Sequence, residues 1–248
     1  MIDKPDKAGQ TGLMNKKYKS YKIPAKILLG MLILSFIYGI VGIVSSSIGK
    51  TVVFARSNVQ YIKISLQCIL GALVLFLPSA MEHKFKITIS NGLHILYVLF
   101  LYAAIILGQV SGYYQRFYHW DTLLHTLSGA MLSAFGFCII DIINKSKKIN
   151  LGLSNWFMSF FSFCFAIMID TFWEIIEFIM DAFMDLNMQQ YILPDGTVLT
   201  GHYALVDTMK DLIVDVLGAL VVSIIGYILL RRQKNSVVNN IVIEEHLE

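Results

Sequence analysis

Six long blocks of apolar sequence dominate this chain. Each is close to the ~20 residues that a helix needs to cross a lipid bilayer. They cover residues 25–49, 62–80, 88–110, 121–143, 153–180 and 207–230. The blocks are continuously apolar and do not alternate, so they predict helices and not the strands of a membrane barrel. The whole sequence of 248 residues is 56% hydrophobic and only 15% charged. That is too little charge to clothe a soluble domain of this length. The predicted fold is all-α, a polytopic integral membrane bundle of about six transmembrane helices. Residues 25–230 form the transmembrane domain, 1–24 a basic cytoplasmic tail and 231–248 a second cytoplasmic tail. Connections are mostly short, which favours antiparallel neighbours. Neither an internal repeat nor a second domain is evident.

Charge placement predicts the orientation. Lys4, Lys7, Lys16, Lys17, Lys19, Lys22 and Lys26 precede or open the first block. No small-residue cleavage motif follows that block, so a retained span with a cytoplasmic N-terminus is expected. Six spans then return the C-terminus to the cytoplasm. On that arrangement fifteen basic residues lie inside, including Lys84, Lys86, Lys145, Lys147, Lys148, Arg231, Arg232 and Lys234. Four lie outside, Lys50, Arg56, Lys63 and Arg116, with Lys210 just within the last span. Anionic lipid accounts for the basic tails, and no nucleic-acid partner is needed. Cys68, Cys138 and Cys164 all fall inside spans and read as small buried apolar residues.

Two outer connections stand out. Residues 111–120, SGYYQRFYHW, are dense in aromatics. They suit an interfacial belt, or a rim gripping a headgroup with Arg116 as the anion contact. Residues 181–206 contain Pro194-Asp195-Gly196 between short apolar runs. That is turn chemistry and predicts a small hairpin or cap, either a lid or a plain connector.

The ionisable residues within spans are concentrated in the last three. His94 stands alone in span three and reads as structural. Span four opens with Asp121 and His125, four apart. Span five ends with Asp170, Glu174, Glu177 and Asp181, stepping by four, three and four. Span six opens with Asp207, Asp211 and Asp215, stepping by four. Each set keeps to one helix face, and such faces avoid lipid. The predicted orientation brings all three to the outer half of the membrane. At roughly 1.5 Å per residue the depths correspond. Asp170 and Asp215 lie deep, His125, Glu174 and Asp211 in the middle, and Asp121, Glu177 and Asp207 near the surface. Asp121 and Asp207 also suit helix caps. Asp181 reads as solvated at the water boundary, and Asp141 suits an ion pair with Lys145.

So many carboxylates in one pocket cannot all stay ionised without compensation. Either several are protonated or cations bind. Carboxylates with an imidazole suit zinc, manganese, iron or magnesium. The expected ligands of a divalent metal ion are His125, Glu174, Asp211, Asp207, Asp170 and Asp121.

The motifs Asp121-Thr-Leu-Leu-His125, Glu174-Ile-Ile-Glu177 and Asp207-Thr-Met-Lys-Asp211 occur in that order over roughly residues 90–230. In this the chain resembles the YjdF family of uncharacterised bacterial membrane proteins. It is also faintly similar to VanZ-like proteins, although Asp215 stands where those have Asn and Thr122 where a basic residue is common. The resemblance implies a shared site in a bacterial cytoplasmic membrane and supplies no activity. The reading is therefore an enzyme, a metal-assisted hydrolase or transferase acting on a lipid-linked or envelope substrate. Asp215 or Glu177 would be the general base and Arg116 a phosphate contact. A cation- or proton-coupled transporter using the same carboxylates is the second reading, weakened by the lack of polar groups in the inner halves of the spans. An accessory subunit is the third. Oligomeric state is left open.

Overall fold

The computed structural model describes residues 21–48, 56–85, 89–145, 151–193 and 195–245, with backbone alone at 85, 145 and 234–245. The predicted roles of Lys4 to Lys19, Lys50, Lys86, Lys147, Lys148 and Pro194 lie outside these residues, as do the side chains of Lys145 and Lys234. Five helical stretches are long and apolar enough to cross a membrane: Lys22–Ser47, Asn58–Lys84, Asn91–Val110, Trp120–Asn144 and Gly201–Gln233. The helix Asn155–Met184, with 30 residues, carries four of the acids and is not among those five. The all-α membrane bundle expected from the sequence is the fold. The chain divides into two compact units at Tyr118 and His119, where the sequence reading had one domain over 25–230.

The first unit begins with α1 (Lys22–Ser47) and α2 (Asn58–Leu75). Ser57 starts α2 with a capping box, its hydroxyl accepting from Gln60 N–H while the Gln60 side chain accepts from Ser57 N–H. The second apolar block is not one straight helix. It breaks at Phe76 and resumes as α3 (Leu77–Phe85). Pro78 lacks the N–H that would bond the Val74 carbonyl, and the Tyr97 hydroxyl donates to that carbonyl instead, at 2.7 Å. Next come α4 (Asn91–Leu101), a π-helical continuation (Tyr102–Val110) and the short α5 (Tyr113–Arg116). Two of the carbonyls ending the π segment, Gln109 and Val110, accept from the Arg56 guanidinium at 3.2 and 2.6 Å. A cation at a helical C-terminus suits both the free carbonyls and the dipole. Leu32, Ile64, Cys68, Val98 and Ile105 are part of the core of this unit.

His94 is structural, as its isolation predicted. It is buried, stacks on Tyr21 with ring centres 4.2 Å apart, and has Nε2 3.5 Å from Glu82 Oε2. The cysteine expectation holds only in part. All three thiols are free and Cys68 is buried, but Cys138 is half-buried and Cys164 exposed on its helix. Cys164 follows the outward, apolar stripe of its helix, where a small hydrophobe is equally at home.

The second unit contains α6 (Trp120–Lys145), α7 (Asn155–Met184), a 3-10 turn (Gly201–Leu205) and α8 (Val206–Glu245). Thus α8 runs beyond the predicted span end at 230. Small residues set the packing of these helices. A Cβ at Gly129 would collide with the Asp215 carbonyl, and one at Gly218 with the Thr126 carbonyl. A Cβ at Gly136 would stand 2.8 Å from Ser162 Cα. Ser133 and Ser223 share a buried hydrogen bond of 2.9 Å. Leu123, Leu127, Phe172, Ile176, Ile213 and Leu217 lie exposed, as lipid-facing residues would.

The connection from α7 to α8 contains the expected small hairpin, reduced to one antiparallel bridge between Ile192 and Val198. The Thr197 N–H donates to Asp195 and holds that exposed carboxyl below the usual carboxylate range. Asp181 corrects the sequence reading. It is buried, not solvated, and accepts from the backbone N–H groups of Met188 and Gln189 at 2.6 and 2.8 Å. The chain turns back after α7 through Asp185, Asn187 and Gln190, all with positive φ, and so delivers those amides to Asp181.

Candidate functional site

The start of α6, the end of α7 and the start of α8 carry the ionisable faces, and they meet at one end of the second unit. His125 is at the centre. Its Nδ1 lies 3.0 Å from Asp215 Oδ2. A carboxylate oxygen accepts, so Nδ1–H donates to it, and in the neutral ring Nε2 is the nitrogen with the lone pair. Nε2 faces acids: it is 3.8 Å from Asp121 Oδ1 and 3.9 Å from Glu174 Oε1. Both separations exceed a hydrogen bond. They suit donors that share one ion at bond lengths of about 2.0–2.2 Å. Asp121, His125 and Asp211 each offer a ligand atom, all within 4.8 Å of one another.

The approach of α8 that makes this possible is written in its glycines. Gly129 sits one turn below His125 and admits the Asp215 backbone, while Gly218 admits that of Thr126. Bulkier residues at these positions would hold Asp215 away from the imidazole. The neighbouring Ser128 donates to Asp170 Oδ1 at 2.7 Å.

Burial makes the site expensive if it is left incomplete. Asp215 is 1% exposed, Asp211 2%, Asp170 3% and Glu174 4%. Asp170 Oδ2, Asp211 Oδ1 and Asp215 Oδ1 make no hydrogen bond to the described residues. Most buried polar atoms in folded proteins have a partner, so these oxygens are open to a proton, a water or a cation. The donor set, one imidazole nitrogen among carboxylate oxygens, fits a divalent cation.

The outer members are more open. Asp121 lies in the first turn of α6, half-buried, and its Oδ2 accepts from Gln190 Nε2 at 2.7 Å. Asp207 lies in the first turn of α8, also half-buried, and so is Glu177 on α7. Arg116 is exposed at the end of α5, in the first unit. The layered depths expected from the sequence are looser than drawn, because His125 reaches the deep Asp215 directly as well as its own neighbours.

Sequence reasoning missed the loop residues that serve this region. Gln190 reaches Asp121, and Gln189 Nε2 donates to Thr208 Oγ1 at 2.7 Å. Two adjacent amides before a turn gave no signal, because their reach depends on the loop folding back onto Asp181. The bond of Ser128 to Asp170 joins residues 42 apart and emerges only from the pairing of the two helices.

No curated protein and no solved structure matches the chain. Over residues 31–232 it matches a family model described as "Predicted membrane protein (DUF2238)". That match covers the site-bearing part of all three helices, and the protein belongs to this family of membrane proteins.

Proposed function

We propose that the protein is a metal-dependent hydrolase or transferase of the cell envelope, acting on a lipid-linked substrate from the outer leaflet of a bacterial cytoplasmic membrane. One observation carries this reading. His125 is oriented by Asp215 through Nδ1, and its Nε2 faces Asp121 and Glu174 at 3.8 and 3.9 Å. A carboxylate that fixes the far nitrogen of a ligating imidazole is the recurrent outer-shell arrangement of metal sites. The resemblance to YjdF proteins in the Asp121–His125, Glu174–Glu177 and Asp207–Asp211 motifs supports a site common to that group. The inside excess of basic residues supports the outer placement.

Asp121, His125, Glu174 and Asp211 are the proposed ligands, with Asp207 at the opening. A divalent ion held there would supply Lewis acidity to an electrophilic phosphoryl or carbonyl group. Glu177 is the proposed general base: it is half-buried, so it keeps access to an incoming nucleophile and can take its proton. Asp215 is engaged by His125, and its role becomes positioning rather than base catalysis.

The test is metal analysis of the purified full-length protein beside Asp211→Asn and Glu174→Gln, together with a lipid profile of cells carrying each variant. Bound divalent metal in the wild type, reduced in both variants, with a lipid-linked species accumulating in both, is expected. Metal-free wild-type protein and unchanged lipids would overturn the reading.

A further inference from the structure

The three side chains whose donor atoms lie within 4.8 Å of one another come from two helices, Asp121 and His125 from α6 and Asp211 from α8. An ion among them is held only while those two helix starts keep their spacing. The connection that follows α7 reaches across the same two starts.

Two adjacent side chains make the crossing. Gln190 Nε2 donates to Asp121 Oδ2 at 2.7 Å, in the first turn of α6. Gln189 Nε2 donates to Thr208 Oγ1 at 2.7 Å, in the first turn of α8. Thr208 is three residues before Asp211, on the same side of the helix and one turn above it. The backbone that carries the glutamines is anchored to α7, because Asp181 accepts from the N–H groups of Met188 and Gln189 at 2.6 and 2.8 Å. Asn187 closes the turn from the other side, bonded at 2.8 Å to both the carbonyl and the N–H of Ile192. One short stretch thus ties the ends of all three helices together.

Gln190 stands out within it. Its φ is 49°, a left-handed conformation that glutamine adopts only at a cost. Its side chain is exposed, so burial does not account for the placement. What the placement delivers is the bond to Asp121. With Oδ2 held by that amide, Asp121 presents Oδ1 towards His125 Nε2, 3.8 Å away. Hydrogen bonds to a ligating carboxylate are the means by which outer groups orient metal ligands.

We propose that Gln190 is a positioning residue for the metal ligand Asp121, so that docking of the 185–192 connection is coupled to binding of one divalent cation at Asp121, His125 and Asp211. This rests on the metal-dependent reading above and adds to it the loop that regulates the site. The coupling is reciprocal. A docked connection tightens the ion, and a bound ion tightens the connection.

Gln190→Asn tests this. It keeps an amide and suits positive φ better than glutamine does, but it is one methylene short of Asp121. Full-length wild type and variant in lipid nanodiscs are stripped with chelator, then titrated in turn with Zn²⁺, Mn²⁺ and Mg²⁺ against a competing chelator. Amide exchange over residues 186–193 is followed with and without whichever ion binds most tightly. The variant should bind that ion about tenfold or more weakly. The ion should slow exchange across the connection in the wild type and leave it unchanged in the variant. Equal affinities would overturn the positioning role and leave the metal-dependent reading standing, and faster exchange at equal affinity would make Gln190 a prop of the loop alone. Wild-type exchange that ignores the ion would overturn the coupling. No bound ion in the wild type would overturn both readings.

Discussion

The bond from His125 Nδ1 to Asp215 leaves Nε2 as the imidazole nitrogen that faces Asp121 and Glu174. Replacing Asp215 by Asn keeps an acceptor for Nδ1–H but removes the negative charge that raises the basicity of Nε2. Metal affinity should fall roughly 10–100-fold, read by competition against a chelator of known strength, and unchanged affinity would argue against the positioning role. Gly129 is a second control point. Its Ala variant places a methyl group against the Asp215 carbonyl, so overpacking should cost about 1–3 kcal/mol. Gly30→Ala is the matched control, since a Cβ there meets nothing within 4 Å. Unfolding in graded denaturing detergent should separate the two, and equal stabilities would exclude the close crossing. Much of this was legible in the sequence. The steps of three and four put each acidic set on one face, and the expense of charge in lipid turned those faces inward. The environment of Asp181 was not legible, because a position near a span end does not say whether the chain beyond it folds back.

At the scale of elements, propensity and periodicity located every span, but the irregularities came from tertiary partners. The break at Phe76 combines Pro78, visible in the sequence, with Tyr97, whose role is not. The π segment ends on carbonyls held by Arg56, a residue the sequence offered only as one more loop charge. The connection after α7 depends on Asp181 in the same way. Asp181→Ala would strand the N–H groups of Met188 and Gln189. Amide exchange across residues 186–193 should then rise by an order of magnitude or more, since losing hydrogen bonds to a charged acceptor costs about 1.5–3 kcal/mol. Protection equal to that of the wild type would show that the hairpin holds itself.

For the whole molecule, the membrane assignment was the clearest message of the sequence, whereas the division at Tyr118 and His119 was not signalled. Apolar blocks resemble one another, and which helix chooses which partner depends on shape, here on glycines and serines scattered at single positions. With the three native cysteines replaced, an Asp195→Cys variant should react in intact cells with a thiol reagent that cannot cross the membrane. Labelling only after permeabilisation would move the carboxylate site to the cytoplasmic side and overturn the envelope reading. The paired glycine contacts carry a mechanical consequence. Where the main chains of α6 and α8 already touch, at Gly129 on Asp215 and Gly218 on Thr126, the helices cannot be pressed closer and can only be drawn apart. Sideways crowding by lipids therefore leaves the imidazole and its carboxylate in register. Whatever draws these two helices apart therefore acts first on the bond between His125 and Asp215.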